Sequence, residues 1–397
     1  MMTRFPTNNL IFFIIIIAPW VNVLSRHGFL KIVIACFVLI PIILMLKNPL
    51  VKKANIDTAG LTFIVLAFFS ALLSFSYHFY LMGLAPEEGG YIIFFPFYTA
   101  LIILLVYWLL ILHFDVKLES KLYWFARYFF IVSVANILWG GFVDIAELPR
   151  SLEIMQHSEY TDGAGRPFGL TGNAAVNSVM LVVCYLLMVR EKLKENINIG
   201  WKWFVLLCAG VIVQKSGSGL AALVITVVYH AMFLPLIARI KVFIMGFVVF
   251  LLGILYELES FRRVSIDYIL HVYMWLEINV MVFWSFDMSI FDWLFGKADP
   301  LGTGSMSTDF GALYIANQMG LLFFVFVTLL FLRVAFRLKL LVDKFIMFII
   351  FLTGFHYQAV FFLSSSVIFS MYIVVVLSEM KFNRMLISSR KLTNLRN

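Results

Sequence analysis

Apolar positions in this chain come in long unbroken runs, and polar positions come as short interruptions between them. The runs approach the ~20 residues that a helix needs to cross ~30 Å of hydrocarbon. They are apolar all round and show no period-two alternation, so strands are excluded and helices that satisfy their own backbone are required. The pattern predicts an all-α, polytopic integral membrane protein with about twelve transmembrane helices. In the first half the spans run over Asn9 to Leu24, Phe29 to Leu46, Ala59 to Tyr77, Tyr91 to Leu112, Leu122 to Phe142 and Ala174 to Val189. In the second half they run over Trp203 to Val213, Gly219 to Ile237, Val242 to Tyr256, Gly311 to Leu332, Phe345 to Val360 and Phe361 to Leu377. The last two are nearly continuous and part only at His356 to Ser366.

Composition strengthens this picture. The 397 residues are 63% hydrophobic and 13% charged, with a mean hydropathy of +0.99, which is more apolar side chain than a water-soluble core can bury. Charge then sets the orientation. With both termini cytoplasmic, the inner loops and tails hold 22 of the 30 Lys and Arg, among them Lys52, Lys53, Arg190, Lys194, Arg333 and Arg337. The other eight lie outside with 15 of the 22 Asp and Glu, which is the positive-inside pattern. The net charge of +8 is therefore a topology signal and not a nucleic-acid footprint. Arg4 precedes the first apolar run as in a signal peptide, but no small-residue cleavage site follows Pro19-Trp20, so a retained anchor is expected. Cys36, Cys184 and Cys208 fall inside spans at no metal spacing and read as packing residues.

Two outer loops are much longer than the rest, Val143 to Asn173 and Glu257 to Phe310, and loops of that length are usually functional. Within the second, Tyr268 to Trp284 is largely apolar and reads as a helix lying at the interface. There is no internal repeat and no low-complexity linker, so residues 1–397 form a single integral membrane domain. The middles of the spans carry almost no charge, which argues against an ion-coupled transporter, because those place Asp, Glu or Arg at midplane depth.

Three segments carry candidate chemistry. The first loop ends in Gly165-Arg166-Pro167-Phe168-Gly169-Leu170-Thr171-Gly172-Asn173, where the glycines allow close backbone approach, Asn173 can cap the sixth span, and Arg166 with the helix start suits a phosphate. An ordinary loop-to-helix turn reads the same way. Next comes Gln214-Lys215-Ser216-Gly217-Ser218-Gly219, either an anion site built on Lys215, Ser216 and Ser218 or a tight helical hairpin. The last is Ser307-Thr308-Asp309-Phe310-Gly311, followed by Asn317-Gln318-Met319-Gly320 within the tenth span. Asp309 is there either a helix cap or a carboxylate that orients or deprotonates a hydroxyl.

In this order and at these hydropathy positions the segments resemble the O-antigen polymerase (Wzy) and O-antigen ligase superfamily. Arg166, Gly169, Gly172 and Asn173 match an Arg-x-x-Gly-x-x-Gly-Asn-like segment; Ser216, Ser218 and Gly219 match a Ser-rich turn; Asp309 and Gly320 match an outer-loop polar residue upstream of a glycine. Two enlarged periplasmic loops complete the likeness. Ligases of the superfamily typically show a His before the late span, where this chain has Thr308 and Asp309, which favours the polymerase.

The resemblance implies a bacterial inner-membrane, metal-independent glycosyltransferase without cofactor that joins undecaprenyl-diphosphate-linked oligosaccharide repeats at the outer face. It implies Arg166 on the diphosphate, supported by Lys215, Arg262 and Arg263, and Asp309 on the acceptor hydroxyl, with Glu257, His271 and Asp299 in reserve. Its partners would be the lipid-linked repeats, membrane lipids and a chain-length regulator, with no nucleic acid. Two rivals remain open: a ligase acting on lipid A core, and a lipid-linked oligosaccharide flippase, for which repeated halves and polar groups along the helices would be expected.

Overall fold

The computed structural model describes residues 57–84, 118–146, 167, 169–171, 173–195, 197, 199–233, 236–237, 240, 244, 247, 270, 273–274, 277, 289–296, 311–354, 360 and 365–379. Helices are the only extended elements among them: α1 (Thr58–Leu84), α2 (Leu118–Ala146), α3 (Ala174–Lys194), α4 (Trp201–Val213), α5 (Gly217–Ala231), α6 (Ile290–Phe295), α7 (Gly311–Ala335), α8 (Leu341–Gly354) and α9 (Ser365–Glu379). A 3-10 turn, Gly169–Thr171, precedes α3. Among the described residues four segments are long and apolar enough to cross a membrane: Thr58–His78, Glu119–Trp139, Ala174–Lys194 and Ile315–Ala335. The fold class is thus that of a helical membrane protein. The expected spans Asn9 to Leu24, Phe29 to Leu46 and Tyr91 to Leu112, and most of Val242 to Tyr256, lie outside the described residues. So does Cys36, whereas Cys184 is buried, Cys208 is half-buried, and both are free thiols.

α3 is the centre of the packing. Every side chain from Ala174 to Arg190 is buried, enclosed by α2, α4, α5 and α8. Sequence local to each end explains where it starts and stops: Asn173 accepts hydrogen bonds from the Ala175 and Val176 amides at 2.9 and 3.1 Å, and Lys192 and Lys194 sit against the carbonyl end of the helix dipole. Buried hydroxyls elsewhere bond back to their own helices, as Ser70 does to the Leu66 carbonyl and Thr226 to that of Ala222. A second unit is the antiparallel pair α1 and α7. Arg333 donates to Asp57 at 3.1 and 3.2 Å at one end, while His78 meets the Gln318 carbonyl at 2.9 Å at the other. Gly60 of α1 lies against Leu377 of α9, which leaves no room there for a side chain.

The residues that the charge pattern assigns to the inside converge on one end of the bundle, but not as a solvated rim. Arg190, expected as a loop cation, is fully buried. It donates to Asp343 at 2.7 Å and to both carboxylate oxygens of Glu379 at 2.8 and 2.9 Å, and pairs with Glu191 as well. Lys194 adds bonds to Glu379 and Glu119. The reason is geometric: α8 begins and α9 ends beside the last turn of α3, which brings Asp343 and Glu379 onto one buried cation.

Three further expectations change. The tenth span is not one continuous helix, because Gly320 within α7 has φ 78 and ψ 163. The loop expected over Glu257 to Phe310 contains a helix, α6, closed by a reciprocal cap between Ser289 and Asp292. The loop expected from Val143 begins later, because α2 continues to Ala146.

Candidate functional site

The end of the bundle away from Arg190 is held mostly by uncharged side-chain hydrogen bonds and by glycines, with one carboxylate, Asp292, among them. Its first part joins two sequence segments that lie far apart in the chain. Gln214, buried at the end of α4, donates to the Pro167 carbonyl at 3.1 Å. Its own oxygen lies 3.4 Å from the amide nitrogen of Asn177. The Asn177 side chain, on α3, also exchanges hydrogen bonds with Ser133 of α2 at 2.8 and 3.0 Å. Three helices therefore feed one polar chain that ends on the residue following Arg166.

Glycine makes the approach possible at two points. Gly169 has φ +64, and a Cβ on it would stand 2.3 Å from the Asn177 amide. A Cβ on Gly219 would stand 2.3 Å from Ser178 Oγ. The small residues of both segments are thus contact surfaces against α3. Ser216 caps α5 by accepting from the Gly219 amide at 3.3 Å, and its hydroxyl lies 3.1 Å from that of Ser218. Lys215 stands between α4 and α5 with φ 46, a left-handed turn that reverses the chain.

The second part lies where α1, α6 and α7 meet. Gly296 (φ 89) and Gly320 (φ 78) cross backbone to backbone: a Cβ on the first would be 2.2 Å from the Gln318 carbonyl oxygen, and one on the second 2.2 Å from that of Leu294. Ser74 donates to the Phe295 carbonyl at 2.6 Å. Tyr77 donates to Asp292 at 2.8 Å, and the other oxygen of that carboxylate accepts from the amide and hydroxyl of Ser289 at 2.9 and 2.8 Å. Phe291 and Phe295 flank the Tyr77 ring.

Of the residues singled out by sequence, Gly169, Asn173, Lys215, Ser216 and Ser218 are therefore gathered around the start of α3 and the α4–α5 turn. Asn173 and Ser216 act there as helix caps. Arg166, Asp309, Arg262, Arg263, Glu257, His271 and Asp299 lie outside the described residues. Sequence reasoning included Gln214 in its second motif without giving it a role, and missed Asn177, Ser74, Tyr77, His78 and Asp292. The signal for Asn177 was present as a carboxamide inside an otherwise apolar span. Among the described residues no three His, Cys, Asp or Glu side chains come together to hold a metal. No family model, curated protein or solved structure matches the chain.

Proposed function

We propose that this chain is a surface-polysaccharide polymerase of the O-antigen type, working on undecaprenyl-diphosphate-linked oligosaccharide repeats at the outer face of a bacterial inner membrane. The observation that carries the reading is the bond from Gln214 to the Pro167 carbonyl at 3.1 Å. It brings together two of the three segments whose order suggested the resemblance, and it anchors the backbone next to Arg166. A phosphate-binding arginine needs such an anchor, because a guanidinium grips two oxygens only when its stem is fixed.

In the reaction, a hydroxyl oxygen of the acceptor repeat attacks the anomeric carbon of the donor chain. The bond from that carbon to the diphosphate oxygen breaks, and undecaprenyl diphosphate leaves with the electron pair. Arg166, with Lys215, Arg262 and Arg263, neutralises the charge that grows on the leaving group. Asp309 takes the hydroxyl proton. The apolar helix faces suit the polyprenyl tails of both substrates.

The reading is tested by Arg166→Ala in the native host, followed by gel analysis of surface polysaccharide at matched protein level. Loss of a leaving-group cation costs ~3 kcal/mol, or about a hundredfold in rate. The expected result is collapse of the ladder to a single repeat still attached to its anchor, with Arg166→Lys also poor. Loss of every attached repeat would instead indicate ligase or flippase, and a normal ladder would reduce Arg166 to an interface anchor.

A further inference from the structure

The break in α7 lies within membrane depth. Gly320 is about 20 Å along the helix from Arg333, at ~1.5 Å per residue, and so falls inside the ~30 Å of hydrocarbon that the segment Ile315–Ala335 can cross. Non-helical backbone at that depth is tolerated only where protein buries it or where it lines a cavity that takes a ligand or water. Here α6 and the end of α1 close over it, and discontinuous helices of this kind are where membrane proteins build sites for polar substrates.

Asn317, one turn before the break, is 2% exposed, and its Oδ1 accepts no hydrogen bond. An unmet acceptor is costly anywhere and most costly where water is excluded. The neighbouring donors are already committed: Ser74 to the Phe295 carbonyl, Tyr77 to Asp292, and His78 Nε2 to the Gln318 carbonyl. Among the described residues no donor reaches Asn317 Oδ1, so the acceptor is open to a group that a ligand brings. Burial keeps the site narrow, which suits a single hydroxyl on a larger molecule. The Tyr77, Phe291 and Phe295 rings, on the α1 and α6 sides of the same junction, offer the flat apolar surface on which a sugar ring packs.

We propose that the junction of α1, α6 and the broken α7 is a saccharide subsite in which Asn317 Oδ1 accepts a hydroxyl of the acceptor repeat. The proposal rests on the polymerase reading for the identity of the saccharide, but not for the existence of the site. It assigns the incoming sugar to the α1–α7 unit, while the diphosphate is held beside α3.

Trp293 supplies a probe, since it packs against Ala316, the residue before Asn317. The full-length protein in detergent is titrated with the oligosaccharide repeat released from its lipid carrier, and fluorescence is compared with that of Trp293→Phe. Saturable quenching that requires Trp293 and weakens at least tenfold in Asn317→Leu, with thermal stability unchanged or raised, is the expected result. If Asn317 were merely an unsatisfied core residue, Asn317→Leu would gain stability and leave the titration unmoved, which overturns the proposal. Absence of saturable quenching in the wild-type protein, or an equal midpoint for glycerol, overturns it too. Polymerisation assayed in parallel separates the two readings: binding that depends on Asn317 without any polymer sinks the polymerase and keeps the subsite, whereas polymer formation indifferent to Asn317→Leu sinks the subsite alone.

Discussion

The two ends of the bundle solve the same problem, closing the space between helix termini, with opposite chemistry. At the basic end, Arg190 is surrounded by Asp343, Glu379 and Glu191, and Arg333 is held by Asp57. Each of these charges has found its counter-ion inside the protein. The other end holds α2, α3 and α4 together through Ser133, Asn177 and Gln214, and α1, α6 and α7 through Ser74 and His78. There the backbone comes within contact distance at glycines and an acceptor remains unmet at Asn317. A saturated ionic lock makes a fixed floor, whereas the glycine-lined end, with an acceptor still unmet at Asn317, is the one that the proposed substrate subsite requires.

This contrast is sharpened first by Asp309→Asn. A cap asks only for a side-chain oxygen, so the helix start survives, but a base requires the carboxylate. In a purified assay with lipid-linked repeats, turnover is expected to fall by roughly a hundredfold to ten-thousandfold while thermal stability holds. Near-normal turnover would turn the search for the base to Glu257, His271 and Asp299.

Arg190→Met is the corresponding test of the floor. It strands Asp343 and Glu379 without their buried cation, at a cost on the order of 3 to 5 kcal/mol. Lower yield and a reduced unfolding temperature in detergent are expected, with specific activity per folded molecule preserved. Activity lost at unchanged stability would break the division between the two ends.

The smallest effect belongs to Asn173→Ala, which removes the cap of α3 and costs about 1 kcal/mol. Asn173→Ser is expected to restore it. A loss of turnover that Ser fails to rescue would move Asn173 from the scaffold into the site.

Hydropathy made the helices legible because bilayer crossing depends on local length and apolarity, and Asn173 was legible as a cap because capping is local too. The partners of Arg190 were not. Asp343 and Glu379 lie more than a hundred residues away, and positive-inside reasoning counts cations without pairing them. Asn177 stayed hidden because an averaged apolar run does not say which side of a helix meets a neighbour, and Gln214 was visible in its motif while its bond to Pro167 was not. The break at Gly320 was invisible for a related reason: glycine is common in membrane helices, and only contact with Gly296 shows that this one leaves the helical region.

The pairing of α1 with α7 also sets a clock for biosynthesis. The bonds that join them span 240 and 276 residues of sequence. At the usual ~5 to 20 residues per second, α1 emerges from the ribosome roughly 12 to 55 seconds before its partner exists. During that interval Ser74 and His78 lack the carbonyls of Phe295 and Gln318 that they later meet. A nascent α1 therefore needs temporary shelter, either against earlier segments of its own chain or in the insertion machinery, and cells short of that shelter would lose this protein before its last helices are made.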